Sequence, residues 1–358
     1  MLERRVKLIV RSLLVAIVVL SAAARSSEAD FTTIINVPPD TMPASIGSHT
    51  QVNVFDGGML FDGFEAGAAD GSSEDIEVNL FGGSLTPIIQ TLLTAYPGSV
   101  INMYGPFEEG SGIVHTRVDG GRLNMVNGLM HSMSASNSAE VNISGGTISN
   151  MGAVGGSTVN QAGGAIVSDL NLLSGEGTVW NLYDGEIGNR FEMREGAKMN
   201  MYGGQIGYRF SVGDGTTMNI FGGTISLGPD TSRDYAFMAE SGSTVNVHGG
   251  LFRENVFVGD GTHFNLFVQE LSLDGVPVPL VLGEQTVIPN TGGVLLEAIL
   301  ADGTFLDLGL GRGSPGFDHF DDGAILTATL VPEPSTWVLA ILAAVGLIGL
   351  RSRHRNGK

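Results

Sequence analysis

Cysteine is absent from the 358 residues. That excludes disulfides, thiolate zinc sites, thiol nucleophiles and iron–sulfur clusters. Aromatic residues are few, at 7%, and charged residues make up only 15%. Basic charge is scarcer still between the termini. Half of the 18 Lys and Arg lie in the two ends, so residues 30–331 hold 34 acidic and 9 basic side chains, a balance near −25. Nucleic-acid binding, whose phosphate contacts need Lys and Arg, is excluded on that count. The acidic balance favours solubility and weak attraction of divalent cations. No Walker, dinucleotide-binding or nucleophile-elbow pattern is present, and glycine-rich matches to such patterns are repeat corners.

What is present is glycine, 53 residues of it, and a short phrase that returns. Its fixed point is an asparagine at Asn53, Asn79, Asn102, Asn124, Asn142, Asn160, Asn181, Asn200, Asn219, Asn246 and Asn265. The spacing is uneven, tightest from Asn124 through Asn142 to Asn160 and widest from Asn219 to Asn246. Numbered from that Asn, position −1 is apolar in all eleven copies and +1 in ten, the exception being Gln161. Position +4 is Gly in nine, −4 is Gly in eight, and +6 is apolar in ten. A third apolar pair sits at −9 and −7, as in Phe191/Met193, Phe210/Val212, Phe237/Ala239 and Val256/Val258. Each unit therefore reads as three short strands separated by glycine corners, with no convincing helical period. One such coil cannot bury its own apolar side chains, but a parallel stack buries them in one column.

These features predict an all-β fold: a right-handed parallel β-helix, or solenoid, over residues 30–270, closed by a small antiparallel β cap over 271–330. Eleven coils at the strand spacing of ~4.8 Å make a rod of roughly 50 Å. The recurrent Asn gains a reason in that geometry, because stacked amides bond to one another as a ladder. The alternative is that each Asn favours a left-handed turn. Both readings make it structural. Residues 61–75 and 108–118 read as loop excursions, and 86–96 as a short helix.

The ends read as addresses. Residues 1–24 form a secretory signal peptide by pattern: Arg4, Arg5, Lys7 and Arg11, then an apolar run over 13–20, then small residues. Cleavage after Ala24 or Ala29 fits; a retained membrane anchor is the alternative. Residues 331–358 carry Pro332-Glu333-Pro334, an apolar segment over 337–350 opened by Trp337, and a tail with Arg351, Arg353, Arg355 and Lys358. Trp at the interface and a basic flank suit a transmembrane segment. Fourteen apolar residues are fewer than the ~20 of a bilayer-spanning helix, and a buried core helix is the alternative. In that order, these three parts resemble a PEP-CTERM sorting signal. The resemblance implies Sec-dependent export in a Gram-negative bacterium and a transient membrane anchor. It further implies processing at Pro332-Glu333-Pro334 by an exosortase, an integral-membrane cysteine transpeptidase-like enzyme. The destination it implies is the cell envelope or extracellular surface, in association with exopolysaccharide and biofilm matrix.

Chemistry is sparse. Arg190 and Arg209 both precede an Asn by the same offset and so belong on adjacent coils, with Arg194 and Lys198 nearby. The four form a candidate glycan-binding site for an anionic sugar, with carboxylates such as Glu192 or Asp214 as acid and base if the protein is a polysaccharide lyase or glycosidase. The plainer reading is a solvated ladder paired with Glu186, Glu192 and Glu195. Glu176, Glu195, Asp214 and Asp260 recur at −5, either as weak Ca²⁺ ligands or as ordinary turn residues. His49, His115, His131, His248, His263 and His319 form no metal pair in sequence. No metal or other cofactor beyond weak Ca²⁺ is expected. The leading reading is a non-catalytic structural or adhesion protein of the surface or matrix, with extracellular polysaccharide as a partner class. The fold by itself does not choose between the two.

Overall fold

The computed structural model describes residues 30–332 except 86–90, 106–113, 168–170, 226–234, 236, 254 and 312–317. The expected leader (1–24) lies outside these residues, as do Glu333, Pro334 and the apolar tail. The described chain is all β, with no helix, and winds into a parallel β-solenoid.

Three parallel sheets run along it. The first holds the asparagine strands in strict register: Asn53 pairs with Asn79, Asn79 with Asn102, and so on to Asn246 with Asn265. The second carries position +6, as in Ile187, Ile206, Ile225 and Phe252. The third carries the −9/−7 pairs, as in Phe210, Phe237 and Val256. Side chains alternate across each strand. Positions −1 and +1 therefore point inward and are fully buried, from Val52 and Val54 to Phe264 and Leu266. Phe191, Phe210 and Phe237 stack inside at 5.5 and 5.7 Å. All of this forms one hydrophobic cluster.

Between its buried neighbours each Asn points outward, half-covered except for the buried Asn79 and Asn102, and bonds along the axis. Nδ2 of each donates to Oδ1 of the Asn one coil before it, at 2.8 to 3.0 Å, from Asn265 back to Asn53. Asn36 adds a twelfth rung, accepting from Asn53 at 3.0 Å. At the other end Thr327 and Gln285 donate to Asn265 Oδ1 at 2.8 and 3.3 Å.

The glycines answer to two demands. At −4 the backbone takes a left-handed φ in every coil, and the three coils without Gly there, at His49, Asp75 and Ser138, adopt φ of 56°, 53° and 63°. At +3 the demand is space. A Cβ on Gly203 would stand 2.4 Å from the Tyr183 carbonyl oxygen, and one on Gly145 2.3 Å from that of Val126. At these glycines the corner after the Asn strand rests directly on the corner below, whereas Asp56, Asn127 and Asp184 carry a side chain at the same position.

Several segments depart from expectation. Phe64–Ala66 and Val114–Asp119 are strands where loop excursions over 61–75 and 108–118 are expected. Thr91–Ala95 is a strand, not part of a short helix. It pairs with Phe64–Ala66 and Val114–Asp119 and fills the third-sheet position of its coil. Parallel stacking also resumes after the cap hairpins. Leu295–Leu300 pairs antiparallel with the end of His263–Leu273 and with Phe305–Gly309. His319–Phe320 and Ile325–Leu330 then return to stack in parallel on Val256–Val258 and His263–Leu273, with Thr327 beside Asn265. Asp318 ties this return to the stack, accepting from the Val256 N–H at 2.9 Å and the Gly309 N–H at 2.8 Å.

The opening edge is protected locally. In Thr33–Val37, residues 33, 35 and 37 face the next coil, which leaves the N–H and C=O of Ile34 and Asn36 on the free side. Asp40 takes both groups of Asn36: its carboxylate accepts from the Asn36 N–H at 3.0 Å, and its own N–H donates to the Asn36 C=O at 2.8 Å. Pro38 and Pro39, which follow, carry no N–H to offer another strand.

An interior rung satisfies two neighbours at once. Asn181→Ala is expected to destabilise the protein by about 1–3 kcal/mol in urea unfolding, because Asn160 loses its donor and Asn200 its acceptor. Asn36→Ala, with one neighbour, should lose about half as much. Equal losses would mean that the ladder bonds contribute little.

Candidate functional site

Arg190, Arg194 and Arg209 meet at one cavity of about 460 Å³ on the outer side of the third sheet, with Glu192, Ser211 and Glu240. Two of them reach it from unusual backbone. Arg190 and Arg209 have φ of 52° and 59°. Side-chain-bearing residues rarely occupy that region. Both stand at the corner that leads into a third-sheet strand, Phe191–Arg194 or Phe210–Val212, and the Arg190 N–H donates to the Tyr208 carbonyl at 2.9 Å. Arg194 pairs with Glu192, and Ser211 donates to Glu240 at 2.6 Å. The Arg209 guanidinium lies 5.8 Å from the Tyr208 ring centre. This cavity can meet an anionic group with guanidinium and has two carboxylates within it.

Lys198 does not join them. It sits on Lys198–Met201 in the first sheet, between Val179 and Thr217 on neighbouring coils. Glu186 and Glu195, named as pairing partners, are elsewhere too: Glu186 lines a second groove, and Glu195 accepts from Ser174 at 2.8 Å. Asp214 is not among the cavity's lining residues. Among the −5 carboxylates, Asp260 accepts from the Gly323 N–H at 2.8 Å, which is corner capping. Among the described residues no three His, Asp or Glu are grouped to hold a metal.

The second groove, about 690 Å³, runs over five coils along the corner between the first and second sheets. Its floor is Gly164, Gly185, Gly204, Gly223 and Gly250, and its rim includes Asp184, Glu186, Gln205, Thr224 and Asp302. No basic side chain lines it.

Position +2 escaped the sequence reading. It stacks Phe55, Phe81 and Tyr104 at 5.3 and 5.1 Å, then, after Val126, Ser144 and Ala162, a second run from Tyr183 to Phe267. That run reads Tyr183, Tyr202, Phe221, His248, Phe267, at 5.1, 5.0, 4.7 and 3.8 Å with planes within 19°. Reading the eleven copies down position +2 would have found it. Burial raises the Tyr183 pKa, helped by Tyr202, and raises that of Tyr104, helped by Glu77. The sequence also hid a histidine pair: His115 and His131 meet edge to face at 5.5 Å. Burial, then His131, lowers the His115 pKa.

Comparison with family profiles, curated proteins and solved structures returns no match. Among the described residues no helix is long and apolar enough to cross a membrane.

Burial between Phe221 and Phe267 lowers the His248 pKa. The folded state thus binds this proton less readily than the unfolded chain. The stabilisation is full above the ordinary imidazole value of about 6.5 and is lost as pH falls through the depressed one. His248→Phe should therefore gain melting temperature relative to the parent as pH drops from 7 toward 5, leaving the share of His115 in place. A pH-independent difference would contradict this.

Proposed function

We propose that the chain is an exported, non-catalytic structural or adhesion protein of the bacterial surface or extracellular matrix, trimmed by an exosortase at Pro332-Glu333-Pro334. The observation that carries the reading is the uninterrupted asparagine ladder: the residue that recurs in every coil is used for cohesion between coils. We take the coil as right-handed, the sense of nearly all crossovers between parallel strands. The acidic balance of residues 30–331 keeps such a rod soluble and suits weak Ca²⁺ association. The leader over 1–24 supplies Sec-dependent export, and the segment over 337–350 holds the protein in the membrane until cleavage. Extracellular polysaccharide is the partner class, met at the Arg190, Arg194 and Arg209 cavity where it is acidic.

A second reading has one observation in its favour. The same cavity places three guanidinium groups beside Glu192 and Glu240, the residue types of a lyase or glycosidase that acts on uronates.

Both readings meet a test. In the native host, mass spectrometry of the envelope protein should find the C-terminal tail removed, and Glu333→Ala with Pro334→Ala should leave it attached. An intact tail on the parent protein overturns the first reading. On uronate polymers the parent should retain polymer without cleaving it, with at least tenfold weaker retention in Arg190→Ala. Turnover abolished by Arg190→Ala would install the second reading instead.

A further inference from the structure

The least covered large apolar side chains are concentrated at one end of the solenoid. Val276 is 66% exposed, Val281 57%, Leu282 61% and Val287 69%, four of the five highest values among the described residues. They fall within residues 276–287. Residues 276–282 read Val-Pro-Val-Pro-Leu-Val-Leu, without one charged or hydrogen-bonding side chain.

The strip is held in place. Val276 pairs with Leu273, the Val278 N–H donates to the Leu271 carbonyl at 2.9 Å, and Leu282 bridges to Leu330. The Gly283 N–H donates to the Leu330 carbonyl at 3.0 Å, and the Val331 N–H to the Val268 carbonyl at 2.8 Å. These bonds put Val281 and Leu282 beside the last described strand, close to Pro332. Val287 is on the adjoining strand, opposite Thr327. A fixed strip of exposed apolar side chains of this kind marks a contact with something apolar.

We propose that residues 276–282, with Val287, rest on the surface of a lipid bilayer and seat the cap end of the protein there while its tail is attached. The inference rests on the proposed function, in which residues 337–350 enter the membrane. From Pro332 to Trp337 the chain advances about five residues, a reach of at most ~17 Å. An inserted tail therefore holds the strip close to the headgroups. Fourteen apolar residues fall short of the ~20 needed to span, which draws the folded part tightly against the bilayer. An uncharged strip enters the headgroup–acyl boundary without desolvating an ion. Asp274 and Glu284 flank it, so the matching surface is zwitterionic lipid, not strongly anionic lipid.

The absence of native cysteine makes single-cysteine labelling clean. The full chain would be reconstituted in phosphatidylcholine vesicles with an environment-sensitive fluorophore on Leu282→Cys, on Ser134→Cys as a remote exposed control, or on Ala343→Cys in the tail. Nitroxide-bearing lipid should quench the probes at 282 and 343 at least twofold and leave 134 unchanged. Vesicles rich in phosphatidylglycerol should quench 282 less. Quenching at 343 without quenching at 282 overturns the docking and leaves the anchored tail standing. No quenching at 343 overturns the membrane tail and the docking together. A probe at 282 shielded from aqueous iodide yet untouched by the nitroxide lipid identifies a protein occupant and overturns the lipid assignment. In a folded Val281→Asp, Leu282→Asp variant, a probe on Val287→Cys should lose at least half its lipid quenching; unchanged quenching contradicts the proposal.

Discussion

The structure depends on one bond repeated: a carboxamide that gives its N–H to the amide of the coil before and offers its oxygen to the coil after. Such a chain of bonds has a direction, and each member fixes the register of two strands. A slip of one residue would turn every core side chain outward. With register fixed, the residues at −1 and +1 fill the column together with those at +6, −9 and −7, and all but the buried Gln161 among the −1 and +1 residues are apolar. Where +3 is Gly, the corner comes so close to the previous one that residues such as Gly203 and Gly145 have no room for a Cβ. Loop length is left free, which is why the long step from Asn219 to Asn246 and the short one from Asn124 to Asn142 coexist in an unbroken ladder.

That same register stacks whatever stands at +2, and it determines what the aromatic run can do. The rings from Tyr183 to Phe267 lie nearly parallel and in contact, so their faces are occupied by one another and only their edges meet solvent. A sugar that binds by laying its C–H face on an aromatic ring finds no free face inside the run. Under the proposed function, contacts with polysaccharide would fall instead to polar groups: the guanidinium groups around Arg190 for acidic polymers, or the glycine-floored groove, which no basic residue lines, for uncharged ones. The aromatic run is cohesion of a second kind, placed beside the amides.

Most of the fold was legible because the repeat states its own geometry. The rule at −4 held even where Gly is missing, since His49, Asp75 and Ser138 adopt the left-handed backbone that the position demands. The pairs at −9 and −7 named the third sheet correctly. Residues 91–95 misled because Thr-Leu-Leu-Thr-Ala lacks simple alternation, while its pairing partners lie far off in sequence. The return of the solenoid after residue 318 was hidden by a substitution at the index position: Thr327 keeps the hydrogen-bonding role with a hydroxyl and so breaks the search for Asn. At the candidate site, spacing brought Arg190 and Arg209 together correctly, since equal offsets from the Asn mean equal places on adjacent coils. Lys198 went astray because nearness in sequence crosses a corner, and a corner changes the sheet.

The two ends meet one physical problem with different means. A parallel stack has to stop somewhere, and its last strand offers unpaired N–H and C=O groups. At the start, Asp40 and two prolines close one residue's worth of edge without building anything. At the other end a whole insertion is spent. Asp302 accepts from the Gly250 N–H at 3.3 Å while its own N–H donates to the His248 carbonyl at 3.1 Å, so that a single turn takes the place of the next coil's corner. Gln285–Val287 then lines the final parallel strand in the opposite direction, where a further parallel coil would have to dock. Closing the edge in this way turns an apolar surface outward beside residue 332. Under the proposed function, the apolar segment over 337–350 would bring a bilayer to that surface.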